Sequence, residues 1–397
     1  IFTNLANVLN ALGRFVEATA MWARALSLIP RFGMALGNRA MCLSEYGRSL
    51  YDDGHVEVFL LFAHRDLSAA LAVDADYAGY PEEDAKAGYE QRRRNIERII
   101  NCAAVQSTLK MEGYSLGDTR EEVSYRQWCL ANGLFLNPLN DLGNHTISAQ
   151  DIFGLPSFTL PIHEPPTLIG LFNQMKQEYT AARWMLFEGI EADTPHFSDR
   201  GVTLSNTLDY PSYSIAVEKV KAAFRIAYSL FDKIAFFMND YAKLGVNPRQ
   251  IYFRTIWYEN QDWRRGLRKE FRASRNWSLR GLFWLSKDLF DPELQATAEP
   301  DAQELYVIRN CLEHSYLKVH EILLPKSEPP DLFLDRLALS VQRDDFFRRT
   351  LRVLRLARAA LIYLSLAMHH EERQRPHDPN GVAFPMFLDT MEDAWKF

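Results

Sequence analysis

The helical character of the chain is clearest in residues 213–244, which read YSIAVEKVKAAFRIAYSLFDKIAFFMNDYAKL. Apolar residues recur there at three- and four-residue spacing, which places them on one face of an α-helix. This apolar stripe comprises Val217, Val220, Phe224, Ala227, Phe231, Ile234 and Met238. Long helices of this kind, joined by modest loops, pack as antiparallel bundles. The stretch therefore predicts an all-α fold.

The same periodicity predicts further helices in the second half of the chain. Together with the first stretch, the predicted helices cover residues 167–189, 213–244, 279–290, 301–324 and 343–375. Proline and glycine residues fall between them, which fits helix ends and turns. Only residues 251–258, IYFRTIWY, have a composition typical of a β-strand.

A repeat is visible near the start of the chain. NLANVLNALGRFVEA (4–18) aligns with NRAMCLSEYGRSLYD (38–52) at a shift of about 34 residues, and Gly13 and Arg14 pair with Gly47 and Arg48. Two helices around a glycine turn at this period resemble the tetratricopeptide repeat. Small residues, Trp22 and the helix-ending Pro30 continue the match. Because the chain begins at Ile1 inside this helix, we expect further residues upstream.

Composition changes divide the chain into three predicted segments. Residues 1–112 are the tetratricopeptide-like helices, 113–165 a Pro/Gly/Asn-rich connector ordered by its aromatic residues, and 166–397 the helical bundle. Residues 54–74 and 82–112 read as degenerate or capping helices of the first segment. The arginines at 92–94 fit a solvated helix face, with a contact to RNA or a partner as the alternative.

Bulk composition limits the classes of function. The 397 residues are 47% apolar and 24% charged, which is typical of a globular protein. A net charge of −6 gives no overall basic field, so a nucleic acid would be held by a local patch or by a cleft formed on assembly. The four cysteines form no CxxC pair, which argues against zinc and disulfides. The longest apolar run near the C-terminus, 359–368, is too short to span a bilayer, and we expect a cytoplasmic protein.

The stretch YVIRNCLEHSY (306–316) combines a guanidinium, an amide and an imidazole on one predicted helix. Asn310 and His314 are four residues apart and share a face, while Arg309 lies about 100° away. A neutral imidazole can take the proton from a ribose 2′-hydroxyl, and a guanidinium can pair with phosphate oxygens as charge builds. Asn310 could orient His314 or the phosphate. This chemistry requires no metal and no cofactor.

The spacing R-N-x-x-x-H resembles the signature of HEPN domains, and the likeness extends to the LA2681-like branch of that family. It covers roughly residues 114–397 and rests on YRQWCLANGLFLNPLNDL (125–142), NWSLRGLFWLSKDLF (276–290) and IRNCLEHSYLKV (308–319). The resemblance implies a HEPN-type antiparallel helical bundle and a metal-independent endoribonuclease. The catalytic residues that it implies are Arg309, Asn310 and His314.

The resemblance also implies partners and a biological role. Two protomers of such proteins face each other across a two-fold axis, so a homodimer with a composite RNA cleft is expected. Cleavage through the 2′-hydroxyl would leave 2′,3′-cyclic phosphate ends. The implied role is that of a toxin-like effector in antiviral defence, with the repeat helices recognising a trigger or protein partner.

The densest basic run, RRGLRKEFRASR (264–275), is the candidate RNA contact. The candidate residues are Arg264, Arg265, Arg268, Lys269, Arg272 and Arg275, with Lys318 beyond the motif. Trp257, Trp263 and Trp277 flank the run, and aromatics beside cations suit single-stranded nucleic acid. The alternative is a solvated helical segment.

Other polar residues have structural alternatives. Arg309 could form an intrahelical ion pair with Glu313, and His320 is expected at the surface or at a helix end. His369 and His370 fit charge complementarity at a helix end better than a metal site. The segment NPLNDL (137–142) reads as a turn and helix cap, or as part of the cleft.

A different class of function also stays open at this stage. The chain could be a non-catalytic helical scaffold that binds RNA, a nucleotide or a protein partner. A buried His314 that faces its own core, or a monomeric protein, would favour the scaffold. The chain has no Gly-rich phosphate loop, no HExxH and no GxSxG elbow.

Overall fold

The computed structural model describes residues 1–79, 82–291, 302–322, 335, 337–376 and 385–396. The N-terminal helices are α1 (Phe2–Ala11), α2 (Phe15–Leu28), α3 (Gly33–Ser49), α4 (Asp53–Ala70), α5 (Glu82–Ile99), α6 (Cys102–Thr108) and α7 (Arg120–Ala131). The later helices are α8 (Thr167–Glu191), α9 (Ile215–Tyr241), α10 (Lys269–Arg272), α11 (Trp277–Phe290), α12 (Ala302–His314) and α13 (Arg343–Gln374). The described residues are mainly helical, which confirms the all-α prediction.

Short elements connect these helices. Two strands, β1 (Tyr316–His320) and β2 (Ala338–Gln342), pair in parallel, with Tyr316 beside Ala338. The 3-10 helices are Pro138–Asp141, Thr146–Ser148, Phe197–Asp199, Pro248–Gln250, Glu259–Gln261, Trp263–Arg265 and Asp393–Trp395. Within the described ranges, no helix is long and apolar enough to cross a membrane.

The turns and helix ends predicted for the N-terminal helices are observed in part. Gly13 has a φ of +82° in the turn between α1 and α2, and α2 ends two residues before Pro30. Trp22 is buried and its indole N–H donates to Asn7 Oδ1 at 3.3 Å. Gly47 differs from the prediction, because it lies inside α3 against the side chain of Phe59 and not in a turn. The tetratricopeptide-like character of these helices stays a prediction.

The predicted apolar stripe of α9 is buried along its whole length. All seven of its residues are at most 4% exposed. Ser214 begins the helix, and its side chain accepts a hydrogen bond from the Val217 N–H. The stripe packs against α8 and α13. A long helix with one apolar face thus forms the middle of the bundle, as its periodicity predicts.

Helix α13 packs against helices from both the N-terminal and the later part of the chain, and these helices share one core. Its residues Val353 to Met368 are nearly all buried, and they pack on α8, α9 and α11 as well as on α3. Buried Arg14, at the start of α2, forms ion pairs with Glu17 and with Asp288 of α11. The boundaries at 112/113 and 165/166 stay predictions, but the segments on either side share their core.

The connector is held by buried polar groups as well as by aromatic residues. Arg358 of α13 donates to Asp141 at 2.6 Å and to the carbonyl oxygen of Asn137 at 2.9 Å. Asn137 caps the 3-10 helix that follows it, and Asn140 is 5% exposed. The segment NPLNDL is therefore a buried turn with a cap, as the turn alternative predicts.

Two predicted elements are wrong. The helix expected over 301–324 ends at His314, and β1 follows it; residues 301, 323 and 324 lie outside the described ranges. The chain leaves the helix because 316–320 find a parallel partner in β2. Residues 251–258 form turns and not a strand, with a single bridge from Tyr258 to Leu267.

Candidate functional site

The R-N-x-x-x-H motif occupies the last turns of α12, a 13-residue helix from Ala302 to His314. Leu305, Ile308 and Leu312 are buried and fix the helix on the bundle. Arg309 and Asn310 are half-buried beside them, and His314 is exposed at the helix end. The apolar face of α12 therefore turns the three motif residues to the rim of the bundle.

Arg309 and Asn310 are in direct contact. The Arg309 guanidinium donates through Nη1 to Asn310 Oδ1 at 3.1 Å. In the part of the chain that the structure describes, no ion pair joins Arg309 to Glu313, so the alternative of an intrahelical pair is not observed. Arg225 of α9 donates to the carbonyl oxygen of Leu312, which ties the end of α12 to α9.

His314 belongs to an exposed stripe on α12. Val307, Asn310 and His314 follow one another at three- and four-residue spacing, so they share one helix face. Val307 is 39% exposed and His314 is also exposed. A histidine in this position is open to a substrate or to a second chain. His314 does not face its own core, an arrangement that would have favoured the scaffold alternative.

The other histidines play different parts. His320 is 4% exposed on β1 and bonds to the Ser340 hydroxyl at 3.2 Å, so the expected surface position is wrong. His369 and His370 lie near the end of α13. Burial, Arg373 and His370 lower the pKa of His369. The lowered pKa disfavours the protonated form of His369, which is the form that the negative end of the helix dipole would stabilise. Among the described residues, no cluster of three or more His, Cys, Asp or Glu side chains could hold a metal ion.

The basic run is largely exposed. It forms two short helical turns, Trp263–Arg265 and Lys269–Arg272. Its exposed members are Arg264, Arg265, Lys269, Arg272 and Arg275. Arg268 is half-buried and donates to the carbonyl oxygen of Ile256 at 2.9 Å. The run thus offers several cations to solvent, as both of its interpretations require.

The three flanking tryptophans divide between core and surface. Trp257 is 1% exposed, and Trp277 stacks on Phe15 with ring centroids 4.3 Å apart. Trp263 is 68% exposed, and the Arg264 guanidinium lies 5.8 Å from its ring centroid. Only Trp263 of these three can stack on a base in the described structure.

Lys318 does not lie where an RNA contact requires it. Its side chain is 3% exposed and pairs with Asp209 at 2.6 Å and Asp335 at 3.0 Å. The ammonium group is therefore neutralised within the fold, on β1. We correct the expectation for this residue, which has a structural role.

A polar group around Arg309 was not found from the sequence. The carboxyl group of Asp232, on α9, interacts electrostatically with Arg309 and with exposed Arg254. Burial raises the pKa of the Asp232 carboxyl, although the Phe253 N–H and both arginines oppose this. The available signal was a second, polar line on α9 opposite the apolar stripe, formed by Arg225, Ser229 and Asp232.

Comparison with known proteins identifies a family. The family described as LA2681-like HEPN matches residues 159–371, which is more than half of the chain. The matched range contains α8 to α12, α13 up to residue 371 and the whole motif. No curated protein and no solved structure matches the chain significantly.

Proposed function

The chain belongs to the LA2681-like HEPN family, and we propose that it is a metal-independent endoribonuclease. The observation that carries the proposal is the arrangement at the end of α12. Arg309 contacts Asn310, and His314 is exposed on the same face as Asn310. These groups supply a phosphate-binding cation, a positioning amide and a proton carrier.

In the proposed reaction the ribose 2′-oxygen is the nucleophile. His314 takes its proton, and the 2′-oxygen attacks the neighbouring phosphorus while the bond to the 5′-oxygen breaks. Arg309 stabilises the negative charge of the pentavalent state, and a proton from an imidazole reaches the leaving 5′-oxygen. The products carry a 2′,3′-cyclic phosphate and a 5′-hydroxyl group.

We further propose that the active form is a homodimer. One motif supplies one imidazole. The reaction uses a general base at the 2′-hydroxyl and a general acid at the 5′-oxygen, and two imidazoles, one from each protomer, can fill both roles. The exposed face of α12 presents apolar Val307 beside Asn310 and His314, which suits contact with a second copy. Convergence of two motifs would also gather positive charge locally in a chain with a net charge of −6.

Two further roles belong to the proposal. The exposed basic run, without Lys318, would contact the RNA backbone, with Trp263 available for stacking. The biological role is that of a toxin-like effector in antiviral defence, with a trigger or protein partner on the N-terminal helices. Exposure of His314 disfavours the scaffold alternative.

The proposal is tested by incubating the purified full chain with single-stranded RNA in EDTA. We expect cleavage by the wild type and a loss of at least about 100-fold in His314→Ala. His163→Ala, a matched change at an exposed loop histidine, should leave the rate unchanged. Absence of cleavage, or full activity of His314→Ala, would refute the endoribonuclease proposal.

A further inference from the structure

A cavity of about 340 Å³ lies between α9 and α12, directly behind the motif. Arg309 and Glu313 form its α12 side, and Tyr228 and Asp232 are on its α9 side. A volume of this size is at the lower end for small-molecule sites. Arg309 is thus shared between the candidate catalytic set and a pocket that can hold one small group.

One residue that lines the pocket carries a buried polar atom without a partner. Tyr228 is 7% exposed, and its hydroxyl group has no hydrogen-bond partner among the described residues. Leaving a buried hydroxyl unsatisfied costs about 1–3 kcal/mol, so such a group is normally completed by a water molecule or by a ligand. The unsatisfied hydroxyl group of Tyr228 therefore favours a polar ligand in this pocket.

Asp232 provides a hydrogen-bond acceptor in the same pocket. Its Oδ1 accepts from the Phe253 N–H at 2.8 Å, which holds the carboxyl group in place. No ion pair occupies Asp232 within the described part of the chain. Burial raises the pKa of Asp232 because it disfavours the charged carboxylate. A ligand that donates hydrogen bonds to this carboxylate would offset that loss of solvation.

The remaining walls suit a flat, partly apolar group. Phe236 is 42% exposed at the pocket, and Pro248 and Ile251 add apolar surface. Three cations line the pocket, Arg225, Lys233 and Arg309, and they are balanced by Asp232, by Glu313 and by Glu178, which pairs with Lys233. The pocket therefore has no excess positive charge for a phosphate group. The pocket thus combines an aromatic ring, a carboxylate, a hydroxyl and a guanidinium, which is the set of groups that binds an unstacked nucleobase.

We propose that this pocket binds one guanine base of the RNA and so selects the site of cleavage. The inference rests on the proposed endoribonuclease function. Guanine presents two adjacent N–H donors, at N1 and the exocyclic amino group, which match the Asp232 carboxylate. Its O6 accepts from the Tyr228 hydroxyl or from Arg309. Adenine, cytosine and uracil lack this pair of adjacent donors, so they leave part of the pocket unsatisfied.

The pocket is placed to read a base beside the phosphate on the motif. A helix rises 1.5 Å per residue, so Arg309 and His314 are about 7.5 Å apart along the axis of α12. One nucleotide can span that distance. Arg309 can therefore contact the base pocket on one side and the scissile phosphate on the other.

Binding is tested without catalysis, in the His314→Ala variant of the 397-residue chain. Guanosine, adenosine, cytidine and uridine 5′-monophosphates are titrated separately in EDTA by calorimetry. We expect the guanine nucleotide to bind about tenfold or more tightly than the others. Asp232→Asn should abolish that preference, and Tyr228→Phe should weaken binding several-fold without lowering the melting temperature, because the hydroxyl has no partner to lose.

Asp240→Asn is the matched control, since Asp240 lies on the same helix, outside the pocket, in an ion pair with Lys243. It should keep the guanine preference. Equal binding of all four nucleotides, or a preference unchanged in Asp232→Asn, would overturn the proposal. These outcomes do not depend on cleavage, so a failed pocket and a failed nuclease are told apart.

A second arm distinguishes a base in RNA from a free nucleotide. Short single-stranded oligoribonucleotides that differ only by one guanine are bound to the same His314→Ala variant. Tighter binding of the guanine-containing strand supports the proposal. If guanosine monophosphate binds but the two strands bind equally, the occupant is a free nucleotide and selection of the cleavage site is refuted.

Discussion

The Arg309 guanidinium donates to Oδ1 of Asn310, 3.1 Å away, so one motif residue holds the next. In the proposed reaction, Asn310 has a positioning role through this contact. We predict that Asn310→Ala lowers kcat for RNA cleavage about 100-fold, because Arg309 loses its fixed direction toward the phosphate. The unfolding free energy should change by less than about 0.5 kcal/mol, since the residue is only half-buried.

The matched control for this change is Asn4→Ala, at an exposed position on α1. Single-turnover kinetics separate an effect on chemistry from one on RNA binding. Wild-type kcat in Asn310→Ala would show that the contact has no bearing on catalysis.

The exposed basic run makes a prediction about salt dependence. Replacing Arg264 and Arg265 by glutamine removes two exposed charges beside Trp263. For single strands, each phosphate contact contributes about 0.7 to the slope of log K against log salt, so the slope should become less steep by about 1.4. The double replacement Arg98→Gln and Arg120→Gln, at exposed positions of α5 and α7, is the control. An equal slope in both double variants would exclude the basic run from the RNA interface.

The contact between the N-terminal helices and the bundle predicts opposite effects of one substitution at two helical glycines. A Cβ at Gly281 would lie 2.3 Å from the carbonyl oxygen of Gly13, whereas a Cβ at Gly170 meets no described atom within 4 Å. We therefore expect Gly281→Ala to destabilise the protein by about 1–3 kcal/mol. Gly170→Ala should stabilise it by about 0.5–1 kcal/mol through helix propensity.

Chemical denaturation of both glycine variants measures the difference. If Gly281→Ala is as stable as Gly170→Ala, the turn at Gly13 does not rest on α11 in solution. That result would separate the N-terminal helices from the bundle.

The buried pair of Arg183 and Asp151 predicts a dependence of stability on pH. Burial raises the pKa of Asp151. Arg183, which donates to both of its oxygens at 2.9 and 2.7 Å, lowers this pKa together with the Leu136 N–H and Lys176, and the net shift is downward. A depressed folded-state pKa means that the unfolded chain takes up the proton more readily. The stabilisation is therefore present above the unfolded-state pKa of about 3.9 and is lost as pH falls through the lower folded-state value.

We predict that Asp151→Asn costs about 3 kcal/mol at neutral pH. The difference from the wild type should shrink progressively below pH of about 4. Urea unfolding across this range measures it, with the exposed Asp193→Asn as a control that shows no such trend. A constant difference down to the lowest pH would contradict the assigned pairing.

Local patterns in the sequence predict the elements whose physics is local. The stripe on α9 and the end of α2 before Pro30 follow from helix periodicity and from the lack of a proline N–H. The pairing of Asn310 with His314 on one face follows from the same spacing. These features need no knowledge of what packs against them.

Features that depend on distant partners could not be predicted. Residues 316–320 leave the helix for β1 because β2 pairs with them, and β2 lies some 20 residues further on. Lys318 is buried because Asp209 and Asp335 neutralise it. The pocket behind Arg309 exists only when α9 and α12 pack together, so its polar residues look like a solvated helix face in the sequence.

The central claim is tested most directly by the chemistry of the new RNA ends. Single-stranded RNA is incubated with the full chain in EDTA, and the masses of the fragments are determined by mass spectrometry. The His314→Ala variant is analysed in parallel. We predict fragments that carry 2′,3′-cyclic phosphate and 5′-hydroxyl ends, and none above background from His314→Ala. Fragments with 5′-phosphate ends, or the same cyclic ends from His314→Ala, would contradict catalysis by this motif.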